Sequence, residues 1–153
     1  MNLESTAFRE GGLIPVKHTC DGKNSSPHLR WSLVPAGTQS LALIVDDPEA
    51  PSGTFVHWVV YHIQPSVTEL LEGAGPVEVL PNGAMQGRNG FGKIGYGGPC
   101  PPSGTHRYFF RLYALNAQVE LHAEASRRDL DAAMKGKIIG HAELMGRYAR
   151  QKH

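Results

Sequence analysis

What this chain lacks excludes several functions. Charge of one sign is missing: fifteen Lys and Arg face fourteen Asp and Glu, a formal net charge of +1. A dedicated nucleic-acid binder usually shows a basic face or stripe, so no nucleic-acid partner is expected, while a small local anion site stays open. No apolar run approaches the roughly eighteen residues of a membrane span. Met1 to Arg9 carries Glu4 and Arg9 without an apolar stretch and does not read as a signal peptide. The expectation is a cytoplasmic protein. The only two cysteines, Cys20 and Cys100, form no CxxC pair, so by spacing they are neither a disulfide framework nor a zinc knuckle. A bridge between them is disfavoured in a reducing cytosol, and both are expected as thiols. GxxxxGK[ST], GxSxG and HExxH are absent, which leaves a serine hydrolase or a zincin without support.

What is present points to turns. Eighteen glycines and eleven prolines in 153 residues suggest a β-rich chain, and the length suits one domain over 1–153. Breakers divide the first forty residues into short extended pieces. Ser40 to Val45 reads as a buried strand, Phe55 to Ile63 as a second and His106 to Leu115 as a third. Pro65 to Asn82 is mostly loop, and Met85 to Pro102 is a long irregular one. Loops of that length are usually functional or disordered. Ser126, with Asp129 three residues on, reads as the N-cap of a helix, and Ala142 to Tyr148 as a second short helix. Strands first and helices last, without βαβ alternation, favours an antiparallel β fold.

Candidate chemistry collects at strand ends. Asp46-Asp47 closes the first strong strand. Adjacent residues alternate faces, so at most one acid points into a given pocket, where it could orient a histidine and fix its tautomer. Pro51-Ser52-Gly53-Thr54 recurs as Pro102-Ser103-Gly104-Thr105, and each copy precedes a strand with a histidine near its start, His57 and His106. Alternation places His106, Tyr108 and Phe110 on one face and Arg107, Phe109 and Arg111 on the other. Two polar tips on an apolar wall are a usual way to build a small-ligand pocket. His57 among core formers also fits a buried structural residue. His18, His28, His122, His141 and His153 have surface-like neighbours. Gly90-Phe91-Gly92-Lys93-Ile94-Gly95 matches GxGxxG without a preceding strand or a following helix, so no dinucleotide site is read there. Tyr96 to Pro102 combines permissive glycines with stiff prolines, which suits a cradle of backbone donors for an anion or a rigid connection with no ligand.

Three segments, in this order and spacing, resemble the phosphatidylethanolamine-binding protein family, also called Raf kinase inhibitor-like proteins. They are Asp47-Pro48-Glu49-Ala50-Pro51, His57-Trp58-Val59, and Gly98-Pro99-Cys100-Pro101-Pro102 running to His106-Arg107-Tyr108. The likeness spans about Phe8 to Arg150 and is greatest to the short bacterial and archaeal branch. It implies a β-sandwich of two packed antiparallel sheets with short C-terminal helices, and a pocket for phosphate-like anions and phospholipid headgroups. By resemblance Asp47, His57, His106 and Tyr108 line that pocket, while Pro51, Phe55, Gly98 and Pro99 shape its rim. Glu49 stands where an aspartate is common. The resemblance also places the segment that holds Cys20 beside the pocket, whose loop holds Cys100, and leaves the distance between the two cysteines open. Kinase regulation, known for animal members, does not carry over from these motifs.

The reading is a binding protein for a phosphate-bearing small molecule or lipid headgroup, regulatory and not an enzyme, with no cofactor. Two alternatives stand beside it. Asp47, His57 and His106 would also make a two-histidine, one-carboxylate metal site for an enzyme. An exposed proline-rich loop is expected, which would suit an interaction module such as a protease or kinase inhibitor. Proline clustering at both pocket walls predicts a cis bond among Asp47-Pro48, Ala50-Pro51 and Cys100-Pro101. Phe109 and Arg111 fall on the face opposite His106, which in a two-sheet fold is either open to solvent or paired with another subunit, and a symmetric homodimer is expected as the commonest oligomer.

Overall fold

The strongest apolar run, Ser40 to Val45, lies at the centre of the molecule because it is apolar on both faces. The computed structural model describes residues 1–150. In chain order the elements are β1 (Asn2–Glu4), a 3₁₀ turn (Val16–His18), β2 (Leu29–Ser32), β3 (Ser40–Asp47), β4 (Phe55–Ile63), β5 (Glu69–Leu70), β6 (Met85–Gln86), β7 (Thr105–Leu115), α1 (Arg127–Met134) and β8 (Ile138–Ala149). They form a three-stranded sheet, β1-β2-β5, and a five-stranded sheet, β6-β4-β3-β7-β8. All strand pairs within them are antiparallel.

Alternation along β3 divides its side chains between two cores. Leu41, Leu43 and Val45 face the small sheet and meet Leu29, Trp31, Trp58, Phe110 and Leu112. Ala42 and Ile44 face the other way, into a second core closed by Leu130 and Met134 of α1. The result is three layers: small sheet, large sheet, helix. A strand covered on both sides needs apolar residues at every position, which is why Ser40 to Val45 shows no polar alternation.

The helix begins where its cap dictates. Ser126 accepts from the Asp129 backbone while the Asp129 carboxylate accepts from the Ser126 backbone, a reciprocal capping box. The expected second helix is instead part of β8. Ala142, Leu144, Gly146 and Tyr148 are buried there, and His141, Glu143 and Arg147 are exposed. That period of two lets the segment pair with β7 from Thr105–Ala149 to Leu115–Ile138. Helix propensity in Ala-Glu-Leu-Met is worth only tenths of a kcal/mol per residue, roughly, and a long ladder outweighs it. Among the described residues there is therefore one C-terminal α-helix, followed by a strand.

Three other expectations are corrected. No described residue follows a cis peptide bond, so Asp47-Pro48, Ala50-Pro51 and Cys100-Pro101 are all trans. The turn after β3 closes by other means: Glu49 N–H donates to Asp47 Oδ1, Gly53 N–H donates to Ala50 O, and Gly53 takes the reversal at φ +105°. Cys20 and Cys100 are disulfide-bonded, with Cα atoms 5.4 Å apart across a sequence separation of 80. Packing of their segments brings them together, since Cys20 N–H donates to Pro99 O. His18 is fully buried, its Nδ1 donating to Ser25 O at 2.8 Å. His153 lies outside the described residues. Among the described residues no helix is long and apolar enough to cross a membrane.

Candidate functional site

Topology alone assembles this site. β4 and β7 flank β3 and both run antiparallel to it, so the end of β3 lies beside the starts of both neighbours. Asp47 closes β3, His57 opens β4, and His106 and Tyr108 open β7. The repeated Pro-Ser-Gly-Thr turns lead into the two flanking strands, with Gly53 at φ +105° and Gly104 at φ +69°. Glycine, without a Cβ, takes such angles most readily.

The two adjacent acids part company as alternation requires. Asp46 turns to the α1 side of the sheet, where it is buried and held by Arg111 and by Arg127, whose guanidinium lies 2.7 Å away. Asp47 turns inward, where His106 Nδ1–H donates to its Oδ2 at 2.6 Å. A carboxylate only accepts, so this bond puts the His106 proton on Nδ1 and leaves Nε2 for the cavity.

His57 reaches the same face through an irregularity. Val45 pairs with Trp58, but Asp46 pairs with Val56, so His57 is an extra residue in β4. This bulge turns His57 and Trp58 toward the same side. Without it His57 would follow Val59 and Tyr61 into the core under α1. Bulges commonly re-aim a side chain in this way beside functional sites. His57 Nδ1–H donates to Gly97 O at 2.6 Å, and Gly97 N–H returns a bond to His57 O at 2.9 Å. Its Nε2 is again the free ring nitrogen. The His57 and Tyr108 rings meet edge-on with centroids 5.3 Å apart.

Between these groups lies a cavity of about 140 Å³. That is close to the ~150 Å³ that accommodates a benzene-sized molecule. Asp47, His57, His106 and Tyr108 supply its polar atoms. Pro51, Phe55, Ala50, Phe91, Pro101, Pro102 and Cys100 supply the rest of the wall. Burial pushes the His57 pKa down, partly offset by the Gly97 carbonyl and the Asp47 charge. Burial first, then the charges of Asp47 and Glu49, push Tyr108 up, so its hydroxyl stays protonated and can donate.

Six of the eight site residues expected from sequence therefore surround one cavity: Asp47, Pro51, Phe55, His57, His106 and Tyr108. Gly98 and Pro99 stand behind the wall instead. Gly98 N–H donates to Asn24 Oδ1 at 2.7 Å, and Pro99 O accepts from Cys20. Their task is to seat the loop against residues 18–24: a Cβ on Gly98 would lie 2.3 Å from His18 O. Phe91 was missed by the sequence reading. Its ring packs on Phe55 with centroids 4.7 Å apart although it is 47% exposed. A bare aromatic between Gly90 and Gly92 was the available signal. Gly90 leaves room for the Phe55 ring, which a Cβ would approach to 2.7 Å, while Gly92 takes φ +75°.

Among the described residues no three His, Cys, Asp or Glu side chains converge as metal ligands. The proline-rich loop is not displayed either, since Gly97, Gly98, Pro99 and Pro101 are buried and exposure begins only at Pro102.

Fold and site together define a class: an antiparallel two-sheet protein whose pocket joins the end of a central strand to the starts of its neighbours. The sequence matches the profile of the phosphatidylethanolamine-binding protein family over residues 4–149. A UPF0098 protein of Methanothermobacter thermautotrophicus is 51% identical over 150 residues, covering 98% of this chain and 99% of that protein. A phosphatidylethanolamine-binding protein homologue of Chlamydia trachomatis superposes with a TM-score of 0.90 at 42% identity, covering 98% of this chain and 97% of the other. Escherichia coli YbcL, described as a member of the mammalian family, gives a TM-score of 0.91 at 36% identity, with 98% of each chain covered. The chain belongs to the phosphatidylethanolamine-binding protein family.

Proposed function

We propose that this cavity binds a small phosphate-type anion, free or as the head of a phospholipid, and that the protein acts by binding rather than catalysis. One observation carries the reading. Two histidines have Nδ1 engaged, one by a carbonyl and one by a carboxylate, and both leave Nε2 at one small cavity beside the Tyr108 hydroxyl. Three potential donors around a headgroup-sized space suit a tetrahedral oxyanion. Asp47 orients His106 and does not itself contact the anion. The apolar wall of Phe55, Phe91 and the prolines excludes water from one side, which strengthens the polar contacts on the other.

The test is calorimetric titration with inorganic phosphate and, separately, phosphorylethanolamine. His57→Ala and His106→Ala should each weaken binding roughly tenfold to a hundredfold, the equivalent of one charge-assisted hydrogen bond. Asp47→Asn should weaken it less. Tighter binding of phosphorylethanolamine than of phosphate points to a headgroup, and equal binding to the free anion. Unchanged affinity in both histidine variants would place the site elsewhere.

A further inference from the structure

The cavity wall is held from outside as well as from within. Cys100 lines the cavity, and its bridge partner Cys20 lies on the segment after the 3₁₀ turn. Residues 18–24 grip the loop at three further points. Cys20 N–H donates to Pro99 O at 3.1 Å, Gly98 N–H to Asn24 Oδ1 at 2.7 Å, and the Tyr96 hydroxyl to His18 O at 2.6 Å. The same loop positions His57 through Gly97, three residues from Cys100. Both cysteines are only partly buried, within reach of a reductant.

We propose that the Cys20–Cys100 bridge is a redox control on the pocket, holding it in its binding shape when oxidised and lowering its anion affinity when reduced. The proposal rests on the anion-binding reading above. Bonded sulfurs lie well inside van der Waals separation, so on reduction they must move apart. Cys100 stands between Cys20 and a cavity of about 140 Å³, and either direction of movement disturbs the wall or the loop that orients His57. The reductant is a dithiol. Its thiolate attacks one bridge sulfur, the S–S bond breaks, and the other cysteine leaves as a thiolate. The second thiol of the reductant then displaces the mixed disulfide, leaving two cysteine thiols and an oxidised, cyclic dithiol.

Linkage makes the effect reciprocal: if oxidation tightens anion binding, bound anion stabilises the bridge by the same factor. A tenfold affinity ratio corresponds to about 30 mV in the midpoint potential of this two-electron couple. The experiment compares phosphate affinity of the oxidised protein, the dithiothreitol-reduced protein and Cys20→Ser, which alters no residue of the cavity wall. Reduction and Cys20→Ser should each weaken binding about tenfold, within the usual range of coupling between sites. Saturating phosphate should lower the midpoint potential correspondingly. Equal affinity in all three forms overturns the proposal. Amide exchange, read without any ligand, separates the two claims. If the oxidised protein binds no phosphate, the anion reading fails, and the tether is judged by exchange at Gly97 and Gly98. Faster exchange there on reduction, with β3 unchanged, supports control of the pocket wall. No change there overturns it. Loss of the whole folded spectrum on reduction also overturns it, because the bridge would then hold the chain and not the pocket.

Discussion

Anion binding at this site should draw in a proton through His57, and its pH dependence tests the arrangement most directly. His57 Nδ1–H is committed to Gly97 O, so Nε2 donates to an anion only when the ring is doubly protonated. In the free protein burial opposes that state and holds the pKa below its ordinary value, with Asp47 partly compensating. The groups facing the ring from β3 and β7 are Asp47, His106 and Tyr108; Phe55 and Phe91 pack on it from the apolar side. A bound anion stabilises the imidazolium and raises the pKa. Affinity is then greatest below the free-state pKa, falls as pH rises toward the bound-state value, and levels off above it. A charge-assisted hydrogen bond contributes roughly 1.5–3 kcal/mol. At about 1.4 kcal/mol per tenfold, that separates the two pKa values by roughly one to two units and bounds the total loss at roughly ten- to a hundredfold. The assay is titration calorimetry with sulfate, whose charge is constant across this range, in two buffers of different ionisation enthalpy, which counts the protons taken up. His57→Ala should remove the His57 share of that uptake. A flat affinity with no proton uptake in the wild type would refute the reasoning.

Three further outcomes follow from the packing. Gly98→Ala should destabilise the fold by roughly 1–3 kcal/mol, the usual cost of overpacking, and weaken phosphate binding, because its Cβ would meet backbone at His18 O and Thr19 Cα. Denaturant titration and calorimetry read both effects, and a silent substitution would show the loop is not seated as described. Gln86→Ala removes an amide that accepts from Trp58 Nε1–H and donates to Gly75 O and Val77 O. Each buried group left without a partner costs roughly 1–3 kcal/mol, so the midpoint of urea unfolding should fall sharply, and a small shift would mean water replaces the amide. Ser126→Ala removes the capping box of α1 and should cost roughly 1 kcal/mol, with phosphate affinity unchanged. A change in affinity there would connect the helix layer to a pocket from which the structure separates it.

The three central strands, the helix cap and the separation of Asp46 from Asp47 were legible in the chain. Each depends on local periodicity or on side chains a few residues apart. The sequence also placed both histidines near strand starts, through the repeated glycine turns. The rest depends on contacts between distant segments. Ala142 to Tyr148 carries both a helix-forming composition and a period of two, and only the ladder offered by β7 selects the strand. Cys20 and Cys100 are far apart in the chain, and their bridge exists because the loop holding Gly98 packs on residues 18–24. His57 is the clearest case. Along a regular β4 it would share a face with Val59 and Tyr61, buried beneath α1. One extra residue, accommodated where Asp46 pairs with Val56 and Val45 with Trp58, turns it to the cavity. A bulge is a mismatch between two strands, and a mismatch is a property of the pair that neither strand carries alone.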